Sequence, residues 1–302
     1  MKKMLLIVSV LFLFSTLRAQ THYDTLATFN AGPGVEYTHI RVPDVPWEIH
    51  VLKINLKNPA LKMEVIKSGN VLNGSLEHTS QMSAENTFEN HSVIGAVNAD
   101  FFSGNNPIQM MVHGGQILHR QRTDGLYSSA AFNGAGQVEF ASPVFSGSVS
   151  VPGGGSLKID GVNEARQSNM TVLYNSMYGS SSLTDNSGSE AVLRPLGQWY
   201  VNDTVYCVID SVAHLKGSLP ISNKTNIIIS ALGTAASFID AHFHKGDTVK
   251  VFTKVTDKLP KLTELTGGHP FIMLNGEISP YIDLKDPMLY NRDPRSVVGY
   301  SK

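Results

Sequence analysis

The chain has 302 residues, of which 42% are apolar, with 24 Lys and Arg against 25 Asp and Glu and a formal net charge of −1. This composition can bury a core in one large or two ordinary domains, and it excludes a disordered chain. No long basic stripe occurs, which excludes a nucleic-acid partner. The single cysteine, Cys207, excludes an internal disulfide and a cysteine-built metal site.

Lys2-Lys3, the apolar run Met4–Leu17 and the small residue Ala19 predict a signal peptide over residues 1–19. The run is too short for a comfortable membrane span, and no later run is a candidate, so the expected protein is exported, periplasmic or secreted, with no stable span once the signal is removed. Residues 20–302 are then read as one domain, since no linker divides them. Trp47, Ile49 and Val51 alternate with polar residues before the apolar phase moves to Leu52, Ile54 and Leu56. That change predicts a bulge near Val51-Leu52 or a strand covered on both faces. Leu61, Met63 and Val65 read as a second strand, and Leu76, Met82 and Phe88 as the packed side of a helix near Thr79 to Glu89.

Val93-Ile94-Gly95-Ala96-Val97-Asn98-Ala99-Asp100-Phe101-Phe102 reads as a buried strand that delivers Asn98 and Asp100 to its C-terminal end. Two hairpins follow: Ile108–Val112 with Gln116–Arg120, and Ser128–Phe132 with Gln137–Ala141. The stretch near 143–189 is rich in Gly and Ser and reads as irregular loops with short strands such as Thr171–Tyr174, an insertion over the site. Strands return at Ala191–Leu193, Thr204–Ser211, Asn226–Ser230 and Thr248–Val255, with a helix over Ala231–Phe243. The mixture predicts an α+β fold: a strand-rich mixed sheet with hairpins and a few helices.

Several side chains suit chemistry on an anionic sugar. Asn98 can donate to one oxygen and accept from another, or simply close a turn. Asp100, between Ala99 and Phe101, would be partly desolvated and suited to proton transfer, and His269 can protonate an oxygen or bind phosphate. Phe102 can stack on a sugar ring. Gly267 and Gly268 permit close backbone approach to a ligand, and Arg295 offers paired donors to phosphate oxygens. Asn275-Gly276 reads as a type I′ turn, and Cys207 as a small buried hydrophobe. His242 and His244, two residues apart at a helix end, do not share a metal ion.

Taken in order, the Asn98–Phe102 segment, Gly267-Gly268-His269-Pro270 running into Asn275-Gly276, and Pro294-Arg295-Ser296-Val297-Val298-Gly299 resemble the phosphodiester glycosidase family. That family includes the enzyme that uncovers mannose 6-phosphate by removing N-acetylglucosamine from a sugar phosphodiester. The resemblance implies an exported hydrolase acting on a carbohydrate or sugar-phosphate substrate. Asp100 and His269 would be its catalytic residues, and Asn98, Phe102, Gly267, Gly268 and Arg295 its substrate-binding residues. No metal ligand set stands out and no cofactor is implied, although a divalent ion could assist. The family continues beyond its Pro-Arg segment with an Asp-Gly-Arg strand, a helix and an Asn-Leu-Asp-Gly-Gly-Gly-Ser segment that this sequence lacks. The expected sheet therefore lacks its C-terminal strands. A non-catalytic glycan- or phosphosugar-binding surface protein and a truncated inactive fragment stay open as alternatives.

Overall fold

The structure, a computed structural model, describes residues 21–120, 127–222, 226–256, 258–283 and 285–301. The expected signal peptide lies outside the described residues. The chain forms two units, one ending at Asn58 and the other beginning at Pro59.

The first unit is an antiparallel meander of β1 (Asp24–Gly32), β2 (Val35–Val42) and β3 (Trp47–Ile54). The register of β2 on β3 runs unbroken from Val35↔Ile54 to Val42↔Trp47, so the change of apolar phase in β3 is not a bulge; the irregularities lie in β1. Side chains alternate across a strand, which puts Trp47, Ile49 and Val51 on one face and Leu52 and Ile54 on the other. On that second face His39 stands opposite His50, their rings stacked at 4.4 Å. Tyr37 Oη lies 2.7 Å from His50 Nδ1, and Glu48 takes Arg41 at 2.7 Å and His39 at 2.6 Å. Such cross-strand contacts are the units that stabilise a sheet.

In the second unit, Leu61–Val65 forms no strand; Val65 instead donates its N–H to Glu264 at 2.9 Å. Helix α1 (Thr79–Glu85) is shorter than expected and stops where the Asn86 side chain bonds the Met82 carbonyl. The strand expected over Val93–Phe102 is also absent: Val93–Ala99 has no ladder, and residues Gly95–Ala99 are exposed. Gly95, Ala96 and Ala99 have low strand propensity, and the remaining apolar residues cannot hold an extended segment without a neighbouring strand.

The remaining strands are β4 (Phe102–Ser103), β5 (Asn106–Pro107), β6 (Met111–His113), β7 (Gln116–His119), β8 (Ser128–Asn133) and β9 (Val138–Ala141), then β10 (Ser146–Val151), β11 (Gly155–Ile159), β12 (Gly161–Val162), β13 (Thr171–Tyr174) and β14 (Ser189–Pro195). They continue with β15 (Asp203–Ala213), β16 (Ile227–Ala231), helix α2 (Thr234–His242), β17 (Thr248–Lys254), β18 (Leu262–Gly268), β19 (Met273–Leu274), β20 (Glu277–Ile278) and helix α3 (Pro287–Tyr290). Both expected hairpins form, as β6–β7 and β8–β9, and β18 joins them in the order β7-β6-β18-β8-β9. Gly115 is required in the first of these turns: its φ is +78°, and a Cβ would lie 2.1 Å from the Trp199 carbonyl oxygen. Asn275 and Gly276 both have positive φ between β19 and β20, as a type I′ turn demands.

The larger sheet runs β11-β10-β17-β15-β14-β16-β13-β12. Its two edges, β11 and β12, are consecutive in the chain with only Asp160 between them, so the sheet curls nearly into a barrel. The Gly/Ser-rich stretch, read as irregular loops with short strands, supplies four strands of this sheet, among them the expected Thr171–Tyr174. In β10 and β11, Val149 faces Leu157 across the ladder, and the serines and Lys158 take the other positions. Inside lie Leu193, Val205, Cys207, Ile209, Ile227, Ile229, Val249 and Val251, and α2 covers one end with Ala235, Ala236 and Ile239.

The expectation of an α+β fold is corrected to mainly β. The described α-helices span seven, nine and four residues. Such short helices cap strands and form no layer of their own.

Candidate functional site

The site is built where β18 ends. Gly267 and Gly268 close that strand, and the chain leaves through a cis peptide between His269 and Pro270. Against this turn lies Gln109, a wholly buried residue just before β6. Its side-chain amide donates to the Gly268 carbonyl at 3.1 Å and accepts from the Gly268 N–H at 3.2 Å. Ser128 Oγ, at the start of β8, donates to the same carbonyl at 2.9 Å.

Asp100 completes the cluster. Its Oδ2 accepts the Gln109 N–H at 2.8 Å, while Oδ1 is buried without a hydrogen bond. Gly267 makes room for both neighbours: a Cβ there would lie 2.5 Å from Gln109 Cβ and 2.7 Å from Asp100 Oδ1. Burial pushes the Asp100 carboxyl up to about 6, against the opposing pull of the Gln109 and Phe101 N–H groups. No neighbouring charge contributes to that rise. A carboxyl poised there exchanges protons near neutrality, which is the property wanted in a general acid or base.

His269 extends the site on the far side of Gly268. Its Nε2 lies 3.4 Å from Asp286 Oδ2, and the Tyr127 ring meets it edge-on at 5.4 Å. Asp100, Gly267, Gly268 and His269, chosen from sequence, therefore sit around one turn.

The other chosen residues have different surroundings. Asn98 is exposed and accepts a hydrogen bond from Thr79 Oγ1 at the start of α1. Phe102 is exposed on β4. The Arg295 guanidinium bonds the Pro294 carbonyl at 3.0 Å, the Asn291 carbonyl at 3.5 Å and Asp293 Oδ2 at 3.3 Å, all within its own segment. Gln109, Ser128, Tyr127 and Asp286 were not anticipated. Only Gln109 left a trace, as a lone amide among Ile108, Met110 and Met111. Among the described residues no group of three or more His, Cys, Asp or Glu side chains is arranged to hold a metal ion.

A second buried carboxylate lies further along the same sheet. Glu264 accepts the N–H groups of Val65 and Gly114, each at 2.9 Å, and lies 3.3 Å from His113 Nδ1. All its oxygens serve main chain and imidazole, which makes it a brace between three segments.

The fold defines a mainly β protein with a near-barrel sheet. It is similar to a hypothetical protein from Synechocystis, with a TM-score of 0.55 and 16% identity over 86% of this chain and 46% of that one. A Burkholderia pseudomallei K96243 protein named for inferred export aligns with a TM-score of 0.46 and 17% identity, over 77% of this chain and 51% of that one. The chain thus spans about half the length of these solved structures. No family model and no curated protein matches the sequence. No helix among the described residues is long and apolar enough to cross a membrane.

Proposed function

We propose that this chain is an exported hydrolase of the phosphodiester glycosidase type, cleaving a sugar from a phosphate diester at the anomeric carbon. The observation that carries the reading is Asp100: a carboxyl raised to about 6, with one buried oxygen lacking a hydrogen bond, beside the Gly267–His269 turn. Above pH 6 its ionised form accepts a proton from water as that water attacks the anomeric carbon. The bond from this carbon to the bridging oxygen breaks, and its electron pair leaves with the phosphomonoester. His269, beside Asp286, donates a hydrogen bond to the departing oxygen. Arg295 would meet the diester by exchanging its present partner Asp293, Asn98 would bind sugar hydroxyls, and Phe102 would stack on the ring. Export to the periplasm or beyond rests on Lys2-Lys3 and the apolar run that follows.

The test uses purified protein and a panel of methyl diesters of glucose, mannose and N-acetylglucosamine 1-phosphate, followed by phosphorus NMR. Free sugar and methyl phosphate are expected, at a rate that rises through pH 6. Asp100→Asn should lower kcat by about 100-fold or more, the scale of a lost general base. Binding without turnover across pH 5–8 would overturn the enzyme reading in favour of a binding protein. Neither binding nor turnover would overturn both.

A further inference from the structure

We propose that Gln109 is the positioning residue of this site, fixing Asp100 through its main chain and the Gly268 peptide through its side chain. The proposal rests on reading Asp100 and His269 as the proton-handling pair, and it adds what sets their relative placement.

The geometry is over-determined in a way that packing alone does not require. A wholly buried amide is costly unless its hydrogen-bonding groups are satisfied, and a leucine would fill the same space without that demand. Gln109 meets the demand on one residue only: it gives its NH2 to the Gly268 carbonyl and takes the Gly268 N–H on Oε1. Rotating the amide by half a turn would set donor against donor and acceptor against acceptor, so this pairing fixes its orientation. Ser128 Oγ shares the Gly268 carbonyl, which stops the peptide from tilting away. Meanwhile the Gln109 N–H holds Asp100 Oδ2. One side of the residue thus anchors the acid, and the other anchors the peptide that carries His269. Gly267 lets the three approach, because any Cβ there would strike Gln109 and Asp100 together.

The test compares Gln109→Leu and Gln109→Glu with the parent protein. Leucine keeps the bulk and removes both side-chain hydrogen bonds. Glutamate keeps the acceptor, and when protonated it replaces the NH2 with an O–H donor. Carbon NMR of the carboxyl of Asp100, assigned with Asp100→Asn, follows its titration whether or not the protein turns over substrate. Expected for Gln109→Leu is a titration midpoint moved further up, because residue 109, released from Gly268, no longer holds its N–H on Asp100 while leucine keeps the site dry. On the diester, kcat should fall by about 10- to 100-fold with KM within about threefold, the signature of a misplaced group. Gln109→Glu should keep a larger share of the parent's kcat at pH 5 than at pH 8, where the new carboxyl is ionised. A folded Gln109→Leu protein with unchanged Asp100 titration and unchanged kcat would overturn the proposal. Should leucine prevent folding, Gln109→Glu decides: the same share of the parent's kcat at pH 5 and at pH 8 overturns it. Should the parent protein turn over no diester, the reaction fails while the shift in Asp100 titration still tests the positioning.

Discussion

The raised Asp100 carboxyl makes stability depend on pH in a direction opposite to that of most acidic residues. An ordinary aspartate titrates near 3.8, and this one titrates at about 6. Between pH 4 and pH 6 the folded protein therefore keeps a proton that the unfolded chain has already released. Stability falls as pH rises through this window and levels off above it. A midpoint moved by about two pH units is worth about 3 kcal/mol once the group is fully ionised. Asp100 is half-buried, and solvent screening reduces the expected effect to about 1–2 kcal/mol. Asp100→Asn removes the titration and leaves an oxygen for the Gln109 N–H, at a cost or gain that does not vary with pH. Urea denaturation of both proteins at pH 4, 5, 6 and 7.5 should show the parent losing about 1–2 kcal/mol relative to the variant between the ends of that series. Parallel curves for the two proteins would refute the argument that burial controls this carboxyl.

Glu264→Ala should lower stability by about 1–3 kcal/mol, because it takes the acceptor from the N–H groups of Val65 and Gly114 and removes the brace between their segments. It should also remove a pH dependence: Glu264 raises the His113 imidazole, so the stability of that pair is present at low pH and lost as pH rises through the raised midpoint. A chemical melt at pH 5 and pH 8 reads both effects, and an unchanged protein would refute the bracing role. Val97→Lys should reduce concentration-dependent light scattering. The uncharged run Val93–Ala99 exposes Val97 and carries no charge to oppose pairing between copies. Equal scattering from both proteins would refute this.

Elements specified by neighbouring residues were legible in the sequence, and those specified by distant partners were not. The β6–β7 and β8–β9 hairpins follow from short turns that only Gly, Asn and their like can close. Helix α2 follows from apolar residues at helical spacing, with Ala235, Ala236 and Ile239 on the buried side. By contrast, the apolar run Val93–Ala99 reads as a strand yet finds no ladder, because an apolar run does not say which strand will lie beside it. The reading of residues 143–189 as irregular loops with short strands, which misses the β10–β11 hairpin, has a related cause. Pro152, Gly153 and Gly154 form the bend of the β10–β11 hairpin and Gly155 opens β11, and this glycine content hides the alternation of Val149, Val151, Leu157 and Ile159 on either side. The fold class went astray for the same reason. A helix between β16 and β17 suggested a layered α+β arrangement, whereas those strands lie in one sheet with β14 and β15 between them.

The candidate site divides along the same line. Gly267 is legible as a place where the chain is approached closely, and the sequence reads that approach as a ligand's. The space is instead taken by Gln109 and Asp100. A glycine in a sequence declares that something approaches the backbone closely, but the identity of that neighbour is a tertiary fact. Asp100 was legible as a carboxyl with apolar flanks, and its environment depends on an amide nine residues on and a strand more than 160 residues away. Gln109 is the link between these two distances. An isolated buried amide among Ile108, Met110 and Met111 breaks the apolar pattern at a cost, and a fold retains such a cost where the amide has partners to hold. Lone polar residues inside apolar runs are therefore the places where a sequence points to a long-range contact without naming it. Here that contact is Gly268, the residue on which His269 is mounted.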